Sequence, residues 1–256
     1  MQDIATPAPR EGATPGVVLV TGGARRVGAA IVRHLHAAGA NVVVHYRGAE
    51  AEAAKLEAEL NAVRAKSATR VKADLLAPIA ARSLVSTALE RFGGLDLLVN
   101  NASSFFPVAV GAIEASHWEE LVGSNLKAPL FISQEAAPHL AKRQGAIVNI
   151  VDIHAERPLK GYPLYSIAKA GLAALTRSLA VELAPAVRVN GVAPGAIAWP
   201  EDGQLPDAER GRIVATTPLA RVGAPEDIAQ AVHFLACAPF VTGQILAVDG
   251  GRSIYL

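Results

Sequence analysis

A phenol and an ammonium stand at i, i+4 spacing in Tyr165-Ser166-Ile167-Ala168-Lys169. On a helix that spacing stacks the two side chains on one face. A free phenol titrates near ~10, and an adjacent cation favours its phenolate, so the pair could exchange a proton nearer neutrality. Asp152 and Asn125 lie upstream and add a carboxyl and an amide. A Tyr-x-x-x-Lys pair is also common on ordinary helix surfaces, so its meaning rests on the elements that position it.

A second group of residues suits an anion. Thr21-Gly22-Gly23-Ala24-Arg25-Arg26-Val27-Gly28 follows directly on the apolar run Val17-Val18-Leu19-Val20. Gly22 permits a sharp turn, and Gly28 lets a helix pack close to a sheet. The helix start then offers free N–H groups and a positive dipole end to a pyrophosphate. The next apolar run ends in His45-Tyr46-Arg47 with no acid at its tip. An acid there would grip a ribose 2′-hydroxyl. Arg47, with His45 and Arg25, would instead pair with a 2′-phosphate, which points to NADPH over NADH. Asp74, with Leu75 beside it, is placed to meet the adenine amino group.

Strands are expected over 17–20, 41–46, 71–74, 95–100, 146–151, 188–192 and 245–248. Helices are expected over 27–38, 50–64, 79–92, 116–141, 163–183 and 227–236. Pro129 should bend the fourth of these, and Pro138 should bend or end its last turn. Strands alternating with helices imply an α/β fold: one doubly wound parallel sheet with helices on both faces. Residues 1–16 are expected as a disordered tail, 17–256 as a single domain, and 194–218 as a lid following a strand end. Trp199 in that stretch is either a wall over the substrate or simple loop packing.

Lys plus Arg is 24 and Asp plus Glu is 23, a formal net charge of +1. That balance gives no global field toward nucleic acid or an acidic membrane, and neither partner is expected. No unbroken apolar run is long enough for a membrane span. Cys237 is the single cysteine, so an internal disulfide is excluded; it is expected as a small buried hydrophobe in a cytoplasmic protein. The reading includes no metal site.

Asn100-Asn101-Ala102, Asp152 and Pro194-Gly195 fall at or just past carboxyl ends of the expected strands, with Asn125 in the helix between. In order and placement these pieces resemble the short-chain dehydrogenase/reductase family from about 17 to 251. The resemblance implies that Tyr165 donates or accepts the proton. Lys169 lowers the tyrosine pKa and binds the nicotinamide ribose, and Asn125 supports Lys169 through water. It also places Ala102, Ser103, Pro194, Gly195 and Ile197 against the cofactor. Two residues depart from the family pattern: Arg26 stands where a glycine is usual, and Asp152 where the catalytic serine is usual.

Both departures suit a nitrogen heterocycle. A carboxyl can accept from an amino-pyrimidine edge or pass a proton to a ring nitrogen, which a serine does less readily. Asp152 could otherwise be a helix-capping carboxylate. Phe105 could stack a flat ring against the cofactor, a contact worth ~1 kcal/mol, or could be loop core. With Ser103, Gly161-Tyr162 and Tyr165, these residues look like pteridine reductases, which reduce pterins and folates with NADPH. That subgroup implies a homotetramer and a pterin edge served by Arg26, Ser103, Asp152 and Tyr165. Gly48-Ala49 lacks the Arg and Ser that often help hold the 2′-phosphate there. The rival readings are a ketone reductase of the same fold, acting for example on 3-oxoacyl thioesters, and a non-catalytic NADPH-binding sensor.

Overall fold

Short runs rich in Val, Ile and Leu become parallel strands, covered on both faces in the middle of the sheet and partly exposed at its two edges. In the computed structural model, which describes residues 15–199 and 206–255, these are β1 (Val17–Val20), β2 (Asn41–Tyr46), β3 (Ala68–Lys72), β4 (Leu97–Asn100), β5 (Ala146–Ile150), β6 (Arg188–Pro194) and β7 (Ile245–Val248). All pair in parallel in one sheet of order β3-β2-β1-β4-β5-β6-β7. The helices are α1 (Arg26–Ala37), α2 (Glu50–Val63), α3 (Ala80–Phe92), α4 (Ala115–Val122), α5 (Ala128–Ala141), α6 (Pro163–Glu182), α7 (Asp207–Ala215), α8 (Pro225–Cys237) and α9 (Arg252–Tyr255).

Alternate residues of each strand face opposite layers. Val18 and Val20 join Ile31 and Leu35 of α1, Leu56 of α2 and Val232 of α8 in one core cluster. Val17 and Leu19 join Leu84 of α3, Ile132 and Leu140 of α5 and Ala180 of α6 in the other. From β1 the chain steps outward to β2 and β3, and from β4 it steps the other way to β7. The winding reverses between β1 and β4, so a crevice opens beyond the carboxyl ends of these two strands.

A polar chain crosses the buried centre. Asn149 donates through Nδ2 to Thr176 Oγ1 at 2.9 Å, and its Oδ1 accepts from Asn100 Nδ2 at 2.8 Å. Asn100 Nδ2 also donates to Ser133 Oγ at 3.2 Å. These bonds tie β4 and β5 to α5 and α6.

The structure corrects several sequence expectations. Residues 1–14 and 200–205 of the expected tail and lid lie outside the described residues. Pro15 is already buried, and the Gly16 carbonyl accepts from Asn41 N–H at 2.8 Å, so these two are held against the sheet just ahead of β1. The 194–218 stretch contains α7, whose described residues are never buried, so no apolar periodicity marks it. Asp207 and Glu209 in its first turn instead favour the helix through its dipole. The third strand starts and ends earlier than expected, at Ala68 and Lys72, where Asn61 Oδ1 accepts from Ser67 and Ala68 N–H. The expected 116–141 helix is interrupted by a π-turn at Gly123–Lys127, before Pro129 rather than at it. Pro129 sits in the first turn of α5, where its missing N–H costs nothing, and α5 continues past Pro138. Among the described residues no helix is long and apolar enough to cross a membrane.

Replacing Asn149 with Leu should remove both bonds and leave the Asn100 amide short of an acceptor, lowering stability by about 1–3 kcal/mol. Urea unfolding should show the loss as a lower midpoint at unchanged slope; an unshifted midpoint would mean the polar chain adds nothing.

Candidate active site

The turn after β1 is locked from three sides. Gly22 takes φ +61°, a left-handed conformation, and a Cβ on Gly28 would lie 2.1 Å from the Gly22 carbonyl oxygen. No side chain fits where α1 meets the turn. Asn101 Nδ2 donates to the Thr21 and Gly22 carbonyls at 2.9 and 3.1 Å. Thr21 Oγ1 accepts from the N–H groups of Asn101 and Ala102 at 2.9 and 3.0 Å. Gly22 N–H donates to His45 Nδ1 at 3.0 Å, and His45 Nε2 reaches the Ala73 carbonyl at 3.1 Å.

His45 therefore corrects its sequence expectation. Its Nδ1 must accept, so the proton sits on Nε2, and burial pushes its pKa down. A neutral ring occupied on both nitrogens braces the turn and has no N–H left for a phosphate. Tyr46 is likewise buried in the core cluster and does not line the crevice. Leu75 packs against the other cluster. Helix α1 begins with no capping side chain and no acid in its first turn. Its first amides and dipole end fit a pyrophosphate, the group a dinucleotide would bring.

The cations around the turn are placed unequally. Arg25 faces Glu52 at 3.7 Å, and Arg47 Nη1 meets Glu120 Oε1 at 3.0 Å. Arg26 holds φ +50°, a conformation that costs a non-glycine residue about 1–3 kcal/mol. Its Nη2 donates to the Ala198 carbonyl at 3.3 Å, and Ala198 too has positive φ. Arg26 thus crosses from the turn to the chain following β6. Val27 is half-buried against the core. Asp74 is exposed and its Oδ1 accepts from Leu76 N–H at 3.1 Å. Gly195 is required by close packing, since a Cβ would stand 2.7 Å from Asp249 Cβ, while Ile197 bridges to Gly223. Pro194 ends β6.

On the other side of the crevice, the first turns of α6 carry Tyr165 and Lys169. The Tyr165 hydroxyl donates to Asp152 Oδ2 at 2.7 Å. Asp152 Oδ1 accepts from His154 N–H at 2.8 Å, capping a short 3₁₀ turn at Ile153–Ala155, so the carboxylate is both a cap and a partner of the phenol. Lys169 Nζ donates to the Ile150 carbonyl at 2.9 Å and lies 5.6 Å from the Tyr165 ring centre. Burial and the neighbouring Asp152 raise the Tyr165 pKa well above that of a free phenol. The shift runs opposite to the expected lowering by Lys169, because desolvation and then the like charge of Asp152 disfavour the phenolate. Tyr165 is held as an acid, with its proton already directed at Asp152.

Asn125 sits inside the π-turn. Its Nδ2 donates to the Ser104 and Leu121 carbonyls, each at 2.9 Å, while its buried Oδ1 has no partner. An unpartnered buried acceptor at a π-turn suits a site that takes a further donor. Phe105 stacks on Tyr162 at 4.5 Å and meets Tyr165 edge-on at 4.8 Å, with 54% of its surface exposed. Ser103 is exposed beside it. Trp199 lies under the Arg210 guanidinium at 5.6 Å, linking the chain after β6 to α7.

Sequence reading missed Thr21, Ser104 and Glu120. Thr21 carried a signal, a hydroxyl at the end of an apolar strand. Ser104 and Glu120 carried none, because their partners are brought together only by folding.

Burial lowers the Lys169 pKa to about 8, against the pull of Asp152. The unfolded chain keeps this proton to about 10.4, so between pH 8 and 10 the unfolded state binds more protons and stability rises with pH. Lys169→Met should remove that rise. Melting temperatures of both proteins across this range check it; parallel curves would show that Lys169 is not desolvated.

A family profile described as Enoyl-(Acyl carrier protein) reductase matches residues 22–253. A protein of Streptomyces violaceoruber named as a granaticin polyketide synthase ketoacyl reductase is 39% identical over 93% of this chain and 96% of its own length. Pteridine reductase 1 of Leishmania tarentolae is 38% identical, covering 94% of this chain and 97% of its own. The 3-oxoacyl-[acyl-carrier-protein] reductase FabG of Staphylococcus aureus is 34% identical, covering 91% and 96%. With the sheet order, the glycine turn and the Tyr165–Lys169 pair, these matches show that the chain belongs to the short-chain dehydrogenase/reductase family of NAD(P)-dependent oxidoreductases.

Proposed function

We propose that this enzyme reduces pterins or folates with NADPH. The observation carrying the reading is the 2.7 Å bond from the Tyr165 hydroxyl to Asp152, a carboxylate where the family's ketone reductases are expected to have a serine. Phe105, half exposed and edge-on to Tyr165, supplies an apolar face beside the proton donor that a flat ring can cover. The 38% identity to a pteridine reductase over nearly the whole chain supports it further.

When bound in the crevice, a reduced nicotinamide would supply hydride for a ring carbon of a C=N bond. Tyr165 gives its proton to the adjacent nitrogen, solvent returns one to the phenolate, and Asp152 accepts the hydrogen bond of the restored hydroxyl. Lys169, buried and close to the ring, stabilises the transient phenolate. Asp152 and Arg26 serve the amino-pyrimidine edge, Ser103 and Trp199 flank it, and Arg47 receives the 2′-phosphate. Trp118, Phe131 and Ile167, exposed on α4, α5 and α6, support a homotetramer within the same reading.

A ketone reductase acting on 3-oxoacyl thioesters is the second reading, favoured by the ketoacyl reductase relatives at 39% and 34% identity. Following NADPH oxidation with dihydrobiopterin, dihydrofolate and an acetoacetyl thioester separates the two. Turnover is expected with a pterin or folate, and thioester turnover alone would reverse the assignment. Asp152→Ser should lower pterin kcat by about a hundredfold, the scale of general acid–base assistance, with little change in NADPH KM. Undiminished turnover would reduce Asp152 to a turn cap.

A further inference from the structure

Arg47, the residue read above as the seat of a 2′-phosphate, already has an anion. Its Nη1 lies 3.0 Å from Glu120 Oε1, joining the tip of β2 to α4 across the adenine end of the crevice. Glu120 is anchored independently, because the Ser104 hydroxyl donates to the same oxygen. Ser104 is fixed in turn by its carbonyl, which accepts from Asn125 Nδ2 at 2.9 Å. The Ser104 hydroxyl and then Arg47 hold the Glu120 carboxyl below its usual range, against the opposing pull of burial and Asp74, so it is charged at neutral pH.

We propose that Glu120 is a specificity-determining residue: an internal carboxylate that occupies Arg47 and competes with the cofactor's 2′-phosphate. The inference rests on the reading of Arg47 given above. A 2′-phosphate can reach Arg47 only by displacing Glu120 or by sharing the guanidinium with a like charge, whereas a 2′-hydroxyl incurs neither penalty. The contact is monodentate and the Arg47 side chain is 58% exposed, so a phosphate of nearly two charges can displace it. Arg25 gives little relief, being drawn to Glu52. Glu120 thus narrows the preference for NADPH without abolishing it.

Calorimetry with 2′,5′-ADP and 5′-AMP, which differ only in the 2′-phosphate, tests this by binding alone. Glu120→Gln keeps an oxygen for Ser104 and removes the charge. It should bind 2′,5′-ADP about three- to fivefold more tightly at low salt, the scale of an exposed ion pair, and bind 5′-AMP as before. The gain should shrink as salt rises and vanish in an Arg47→Ala background. An unchanged or weaker 2′,5′-ADP affinity, or an equal gain for both probes, overturns the inference. If wild type prefers 2′,5′-ADP and Arg47→Ala abolishes that preference, the Arg47 reading stands whatever Glu120→Gln shows. Equal affinity of wild type for both probes overturns the Arg47 reading, and the inference with it.

Discussion

A Cβ at position 28 would sit 2.1 Å from the Gly22 carbonyl, and this lack of space fixes where α1 leaves the sheet. The start of α1 is thereby held against the carboxyl end of β1, next to the strand order's reversal at β4. Asn101 and His45 keep the turn in that shape by bonding its backbone from the chain after β4 and from β2, and the Thr21 hydroxyl ties it further by accepting from the Asn101 and Ala102 N–H groups. Each of them stabilises the anion cradle without needing to touch an anion. His45 serves because it is buried and neutral; a charged imidazolium would lose its acceptor for Gly22 N–H.

Across the crevice, desolvation dominates the chemistry. It moves Tyr165 and Lys169 toward their neutral forms, raising one pKa and lowering the other. Asp152 opposes this for the lysine and reinforces it for the tyrosine, since a nearby carboxylate favours an ammonium and disfavours a phenolate. The consequence is a proton donor that remains protonated, a property suited to reduction. An ordinary serine at position 152 would leave that electrostatic contribution out.

Much of this was legible along the chain. The apolar runs placed the strands, and spacing placed Tyr165 and Lys169 on one helical face. Gly22 and Gly28 marked the turn because their constraint is local. Helix α7 escaped notice because it buries none of its described residues, and the π-turn at Gly123–Lys127 because no residue type demands one. His45 was misread as a phosphate partner: a histidine beside an arginine at a strand tip looks like a cationic pair until burial removes its charge.

What the sequence by itself determined, then, is the set of groups whose neighbours are near in the chain or repeated by periodicity: strand faces, the glycine turn, the phenol and ammonium, the carboxyl at 152. Only the tertiary structure decided which of them are charged and which are already engaged. Arg47 meets Glu120, Arg26 meets Ala198, and Asn125 keeps an unpartnered oxygen because distant segments converge at one end of the sheet. Protonation and ion pairing depend on solvent exclusion and on distances of a few ångströms, and neither is encoded in linear spacing.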